Sequence, residues 1–340
     1  MSDAVFWSLL VIVILAVNAA EAPPRAAPGE APPAPIGLFA NGAAVARMAI
    51  AGGAVLAVVV GLLSLAGANG TGSTVGDRNH ELVSGALQVA AGGISLALFY
   101  FGTHRVPGLR LLREGAPISW LAILLFLESL ALNLVPTASG STSSTNPVPQ
   151  PSSGPSAESL MLGAVPFLAI GIAAVGPVVR RNLKQTAERL GFWPLRLPWW
   201  VVGLAVGIVL VPIGDWVAGV LAHLTSAQCL QQATQAQQQI IGTGRTAIEQ
   251  IGVAIAAGVG EETLFRGALQ PRFGIFLSSA LWASYHLQYA CNGLPSTSNL
   301  YILLLGFVFG GLRKVGGLWP AIIAHAVYDA TILLGWLGSS

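Results

Sequence analysis

The sequence predicts an all-α, polytopic transmembrane bundle of about ten spans. Hydrophobic residues make up 54% of the 340, charged residues only 9%, and nearly uncharged stretches long enough to cross a bilayer recur along the chain. This composition excludes a water-soluble globule and a disordered chain. Sixteen basic against 14 acidic residues leave a net charge of +2 and no basic stripe, which excludes nucleic acid as a partner.

The first apolar run, 4–20, has an h-region from Phe6 to Val17 followed by Ala20-Glu21-Ala22, as a signal peptide would. It lacks a basic n-region, with Asp3 the only charge ahead of it, so a retained helix is expected. An Ala/Pro-rich linker, 21–43, leads to spans at 44–67, 82–102 and 117–136. A charge-free Ser/Thr/Gly/Pro linker at 137–157 is followed by spans at 159–179 and 199–222. Four more, at 248–270, 273–290, 298–312 and 318–337, are shorter or interrupted by polar groups. The change divides the chain into an N-terminal transmembrane region, 1–247, and a chemically distinct C-terminal domain, 248–337.

Basic residues gather on the cytoplasmic side of membranes. Arg105, Arg110 and Arg113 share one loop, and Arg180, Arg181, Lys184, Arg189 and Arg196 share another two spans later, as alternation requires if both are inside. That places Arg25, Arg272, Arg313 and Lys314 inside too, puts both termini outside, and sets Trp199 and Trp200 at an interface. Cys229 and Cys291 then fall at the outer face, where a disulfide and two free thiols are both open.

Ionisable side chains inside spans are costly and mark functional sites by default. Glu128 and Asp215, isolated in the earlier spans, read as interhelical hydrogen bonds or protonated carboxyls. The last third gathers Glu261, Glu262, Arg266, His286, His325 and Asp329. Residues four apart share a helix face, which sets Glu262 over Arg266, Trp282 over His286 and His325 over Asp329. Glu261 is turned about 100° from Glu262, so the Arg-paired Glu262 is the structural member and Glu261 is left for chemistry. Glu261, His286 and His325 lie about 10–21 Å in from the cytoplasmic helix ends, close enough in depth to meet in a polar cavity. Peptide hydrolysis there needs a water, a base and oxyanion donors. A buried Glu supplies the base. Two His either donate hydrogen bonds or bind a divalent metal that acidifies the water.

Three motifs in order carry a resemblance. Glu261-Glu262-Thr263-Leu264-Phe265-Arg266 matches EExxxR, Trp282-Ala283-Ser284-Tyr285-His286 resembles FxxxH, and His325-Ala326-Val327-Tyr328-Asp329 resembles HxxxN. Over residues 248–335 the chain thus resembles the CPBP intramembrane proteases, which include type II CAAX prenyl endopeptidases, bacteriocin-processing relatives and lysostaphin resistance protein A-like proteins. The resemblance implies a helical membrane fold with a conical cavity, in which Glu261 activates water and His286 is the second catalytic residue. It implies that His325 with Asp329 stabilises the oxyanion, and that Glu262, Arg266 and Trp282 support them. Its partners would be membrane lipid and a peptide or membrane-protein substrate, in a bacterial inner membrane. Trp282 replaces a Phe, conservatively for a cavity wall. Asp329 replaces an Asn, and an ionised carboxylate accepts but cannot donate, so Asp329 is protonated, orients His325 or ligates a metal such as zinc alongside Glu261, His286 and His325.

The reading that follows is an intramembrane endopeptidase of glutamic or metallo type. The alternative is a non-catalytic membrane scaffold, or a bacteriocin-immunity-type factor, that retains the fold. A zincin HExxH is excluded because His80-Glu81 is followed by Ser84 at the required position. An aspartyl GxGD is excluded because Pro212 stands where the first Gly belongs. A transporter should show an internal repeat, and none is present.

Overall fold

Three glycine-lined helix contacts bring the C-terminal helices together, and the element order shows how. The structure, a computed structural model, describes residues 3–20, 42–68, 75–103, 117–138, 155–241, 246–286, 289 and 297–335. The expected linkers, apart from their ends, the loop with Arg105, Arg110 and Arg113, and Cys291 lie outside the described residues. In chain order the α-helices are α1 (Asp3–Ala20), α2 (Gly42–Gly67), α3 (Val75–Thr103), α4 (Pro117–Ala138), α5 (Ala157–Ala174) and α6 (Leu183–Leu190). There follow α7 (Leu197–Leu224), α8 (Ala227–Ile241), α9 (Ala247–Glu262), a π-helical segment (Thr263–Leu269), α10 (Gln270–Ser284), α11 (Thr297–Gly316) and α12 (Leu318–Leu333). The described residues contain no β-strand.

Five helices are long and apolar enough to cross a membrane: Val45–Gly67, Arg78–Phe99, Ala157–Ala174, Leu197–Leu224 and Thr297–Gly316. Shorter apolar helices are Val5–Ala20, Ile118–Ala131 and Leu318–Leu333. The chain is an integral, multi-pass membrane protein. The stretch expected to hold two plain spans, 248–270 and 273–290, has a different form. A capping box starts α9, with Thr246 accepting from the Glu249 backbone N–H while the Glu249 carboxylate accepts from that of Thr246. The helix then widens into the π segment and runs on to Gly274, whose φ of 79° breaks it. Only glycine adopts that backbone without steric cost, so the turn falls there and not at Pro271, which is tolerated in the first turn of α10. The second run ends at Ser284, short of the expected residue 290.

Residues of Met1–Thr142 and Ala173–Leu183 form one compact unit, and those of Ser143–Ile172 and Lys184–Ser340 a second. In the first, α2 and α3 interlock at Gly61 and Gly85, each of which leaves room for the other's backbone carbonyl. Asn18, fully buried, donates to the carbonyls of Ile14 and Ala173, both at 3.0 Å. Glu128 stands in α4 with Oε1 buried and without a hydrogen-bond partner among the described residues.

The second unit holds all the motif residues. α12 packs against α7 and α9, and α10 against α11. The contacts are close because small residues face the neighbouring backbone. A Cβ on Gly207 of α7 would lie 2.8 Å from the Ala324 carbonyl of α12, and one on Gly306 of α11 would lie 2.8 Å from Ser279 of α10. One on Gly260 of α9 would lie 2.6 Å from the Ala164 carbonyl of α5. Packing, rather than a hydrophobic effect between helices, drives such association in lipid. Gly207→Val is therefore expected to force α7 and α12 apart and to destabilise the protein by about 1–3 kcal/mol. Thermal unfolding of the purified protein in detergent measures it.

Candidate active site

The C-terminal end of α9 places two adjacent carboxylates on different sides of the helix. Glu262 is fully buried, and its Oε1 lies 3.2 Å from Arg266 Nη1, in the π segment, and 2.9 Å from His325 Nδ1, in α12. His325 Nε2 in turn lies 3.3 Å from Asp329 Oδ2, one turn further along α12. A carboxylate only accepts, so with both acids ionised each ring nitrogen of His325 presents a proton to an acid. The result is a line of alternating charge, Arg266, Glu262, His325, Asp329, of which the first three are almost completely withdrawn from solvent. Arg266 also donates to the Gly306 carbonyl of α11 at 3.4 Å.

Trp282, in α10, organises the rest. Its indole N–H donates to Glu261 Oε2. The guanidinium of Arg266 stands over the indole, 4.5 Å from its centroid, a cation–π contact. The His286 ring meets the indole edge-on at 4.9 Å and the His325 ring at 5.5 Å, while Phe309 of α11 stacks on His325 at 5.0 Å. Glu261, His286 and His325, far apart in the chain, thus gather around one indole. His286 sits just past the end of α10, and its Nδ1 is 3.1 Å from the Trp282 carbonyl. A carbonyl can only accept, so Nδ1 carries the proton, and in the neutral ring Nε2 has a free lone pair.

The motif spacing anticipates the Glu262–Arg266, Trp282–His286 and His325–Asp329 neighbours. It treats Trp282 as cavity wall and misses its N–H donated to Glu261, which a Phe could not supply. Of the three uses open to Asp329, the one seen is orienting His325. The expected oxyanion role of His325 meets a geometry in which both its nitrogens are engaged by acids. Asn299, which no motif singles out, is buried near the start of α11 and donates to the His286 carbonyl at 2.8 Å. Its only signal in the sequence is an amide in an apolar span.

No three His, Cys, Asp or Glu side chains converge as a ligand set among the described residues. The polar atoms of the site do not fit a metal: His325 is spent on two acids and Nδ1 of His286 on a carbonyl. Beside the site, an apolar groove of about 270 Å³ runs between α5 and α9. Met161, Ala164 and Leu168 line one wall and Gly252, Ala256 and Val259 the other, and it ends at Gly260, next to Glu261.

Residues 244–331 match the family model described as type II CAAX prenyl endopeptidase Rce1-like. This region belongs to that family. It is a family of proteases, and the match contains all three motifs. No curated protein and no solved structure matches the chain.

The two adjacent carboxylates of this Rce1-like region are expected to respond differently to substitution. Arg266→Met strands Glu262 in a buried setting and should cost about 3–5 kcal/mol. Glu261→Ala removes a half-buried group outside the ion line and should cost less than about 1 kcal/mol. Unfolding curves of the two variants, measured side by side, separate the structural acid from the other.

Proposed function

We propose that the protein is an intramembrane endopeptidase in which Glu261 activates the attacking water. The observation that carries this reading is the division of labour between the two acids. Glu262 is consumed by Arg266 and His325, whereas Glu261 keeps one carboxylate oxygen clear of the indole bond and stands beside His286 around Trp282. Glu261 takes a proton from water as the hydroxide adds to the scissile carbonyl carbon. His286, held with Nε2 unprotonated, accepts a proton there and passes it to the departing amine. Once protonated, Nε2 also donates to the oxyanion. His325 and Asp329 act as positioning residues, fixing α12 against Glu262 and so fixing the carboxyl next to it.

The substrate class is a CAAX-type peptide or a related membrane protein. The groove between α5 and α9 supports this choice, because its apolar walls accept a lipid-modified or membrane-buried segment and lead to Glu261. The setting is a bacterial inner membrane, in line with the resemblance. The reaction as written uses no metal, in keeping with the donor geometry.

N-terminal peptide profiling of membranes from cells expressing wild type, Glu261→Ala or His286→Ala at matched levels tests the reading with no substrate assumed. A product seen only with wild type is expected, with cleavage reduced about 10²–10⁴-fold in each variant. Identical profiles from folded, functionally required protein would instead favour a non-catalytic scaffold, a reading that the double engagement of His325 supports. Chelation is expected to leave cleavage unchanged. Loss restored by zinc would reassign Glu261, His286, His325 and Asp329 as ligands. Asp329→Asn keeps an oxygen acceptor for His325 and should retain most activity, whereas Asp329→Ala should lower it about tenfold in the same assay.

A further inference from the structure

The segment 184–198 and the last turn of α11 meet at one end of the second unit. Arg196 Nη1 donates to the Val315 carbonyl at 3.0 Å, which brings the start of α7 level with the end of α11, two of the candidate membrane spans. Lys184, Arg189, Arg196, Arg313 and Lys314 stand here against a single acid, Glu188. Among them Trp193, Leu195 and Leu197 are 47%, 48% and 61% exposed. A bilayer core would not hold five cations with one acid. An aqueous face would not carry three large apolar side chains around one arginine. Headgroup depth satisfies both.

Arg313 is the most telling of the five. Its guanidinium lies on Gly191, where any Cβ would collide with Cζ. The side chain is half-buried, its Nε is without a hydrogen-bond partner, and no acid pairs with it among the described residues. A buried guanidinium without a carboxylate is completed by an anion. We propose that this surface binds the headgroup of an anionic phospholipid, with the phosphate at Arg313, Lys184 and Lys314 adding attraction, and the acyl chains alongside Leu195 and Leu197. The seat is joined to the helices that carry the motifs. Arg189 Nη1 donates to the Gly267 carbonyl of the π segment at 3.3 Å, the Gly191 carbonyl accepts from the Leu318 N–H at 2.8 Å, and the Trp319 indole donates to the Phe192 carbonyl at 3.2 Å. A bound lipid therefore braces the strap that spans Arg266 and the first turn of α12. The inference is independent of the protease reading.

The test uses the purified full-length protein in a neutral detergent, with phosphatidylglycerol, phosphatidylcholine or inorganic phosphate added at matched concentrations. The readouts are lipid retention by native mass spectrometry and the unfolding midpoint. Phosphatidylglycerol is expected to be retained and to raise the midpoint above that in phosphatidylcholine. The exposed pair Lys184→Gln/Lys314→Gln should keep the wild-type midpoint in phosphatidylcholine while its affinity for phosphatidylglycerol falls about 10- to 30-fold. Arg313→Gln, read only if it retains its fold, should abolish the selective retention. Equal retention of the two lipids, an undiminished response in the double variant, or a full midpoint rise with inorganic phosphate alone would each overturn the proposal.

Discussion

The second unit depends on a carboxylate that has no exit to water. Glu262 is fully buried, and the ionised form of such a group persists only if the protein supplies the counter-charge. Arg266 and His325 do so from two elements far apart in sequence, the π segment and α12, so forming the ion line also sets the spacing of the helices that bear it. Removing one partner leaves a charge stranded. The glycines on α7, α9 and α11 serve the same constraint from outside, since helices that could not approach closely would leave the ions apart.

This constraint also explains how the site comes to have one acid free. Adjacent residues on a helix point in different directions, and the one captured by the ion line fixes the direction of the other. Glu261 is then aimed at Trp282, whose N–H and ring face serve two purposes: the edge holds the carboxylate and the face carries the Arg266 guanidinium. An indole is the side chain that does both at once, because it combines a strong π face with a donor. His286 meets the same ring at its edge, so a residue that brings no ionisable group of its own sets the geometry of those that do.

Much of this is legible in the chain. Apolar runs announce the membrane helices, and the spacing of four between Glu262 and Arg266 or His325 and Asp329 announces which charges meet. What stays hidden depends on long-range packing. Nothing local distinguishes Thr263–Leu269 from an ordinary helix, because the widened turn is imposed by its buried surroundings. The engagement of both His325 nitrogens joins residues 63 positions apart on one side and four on the other, and only the nearer acid is visible in the sequence. The break at Gly274 is readable as a turn between spans, but Pro271 competes for it, and φ alone decides. Likewise the groove between α5 and α9 exists only once Met161 and Gly252 are brought together.

The π segment has a consequence for how this region tolerates changes in length. A π turn amounts to one residue inserted into an α-helix. Loss of a single residue from Gly267–Leu269 would let the ordinary helix close and rotate everything beyond it by about 100° relative to α9. Every letter of the three motifs would survive such a deletion, yet Trp282 would no longer face Glu261. Among chains of this kind, the distance in residues between the glutamates and the tryptophan is therefore as informative as the residues themselves.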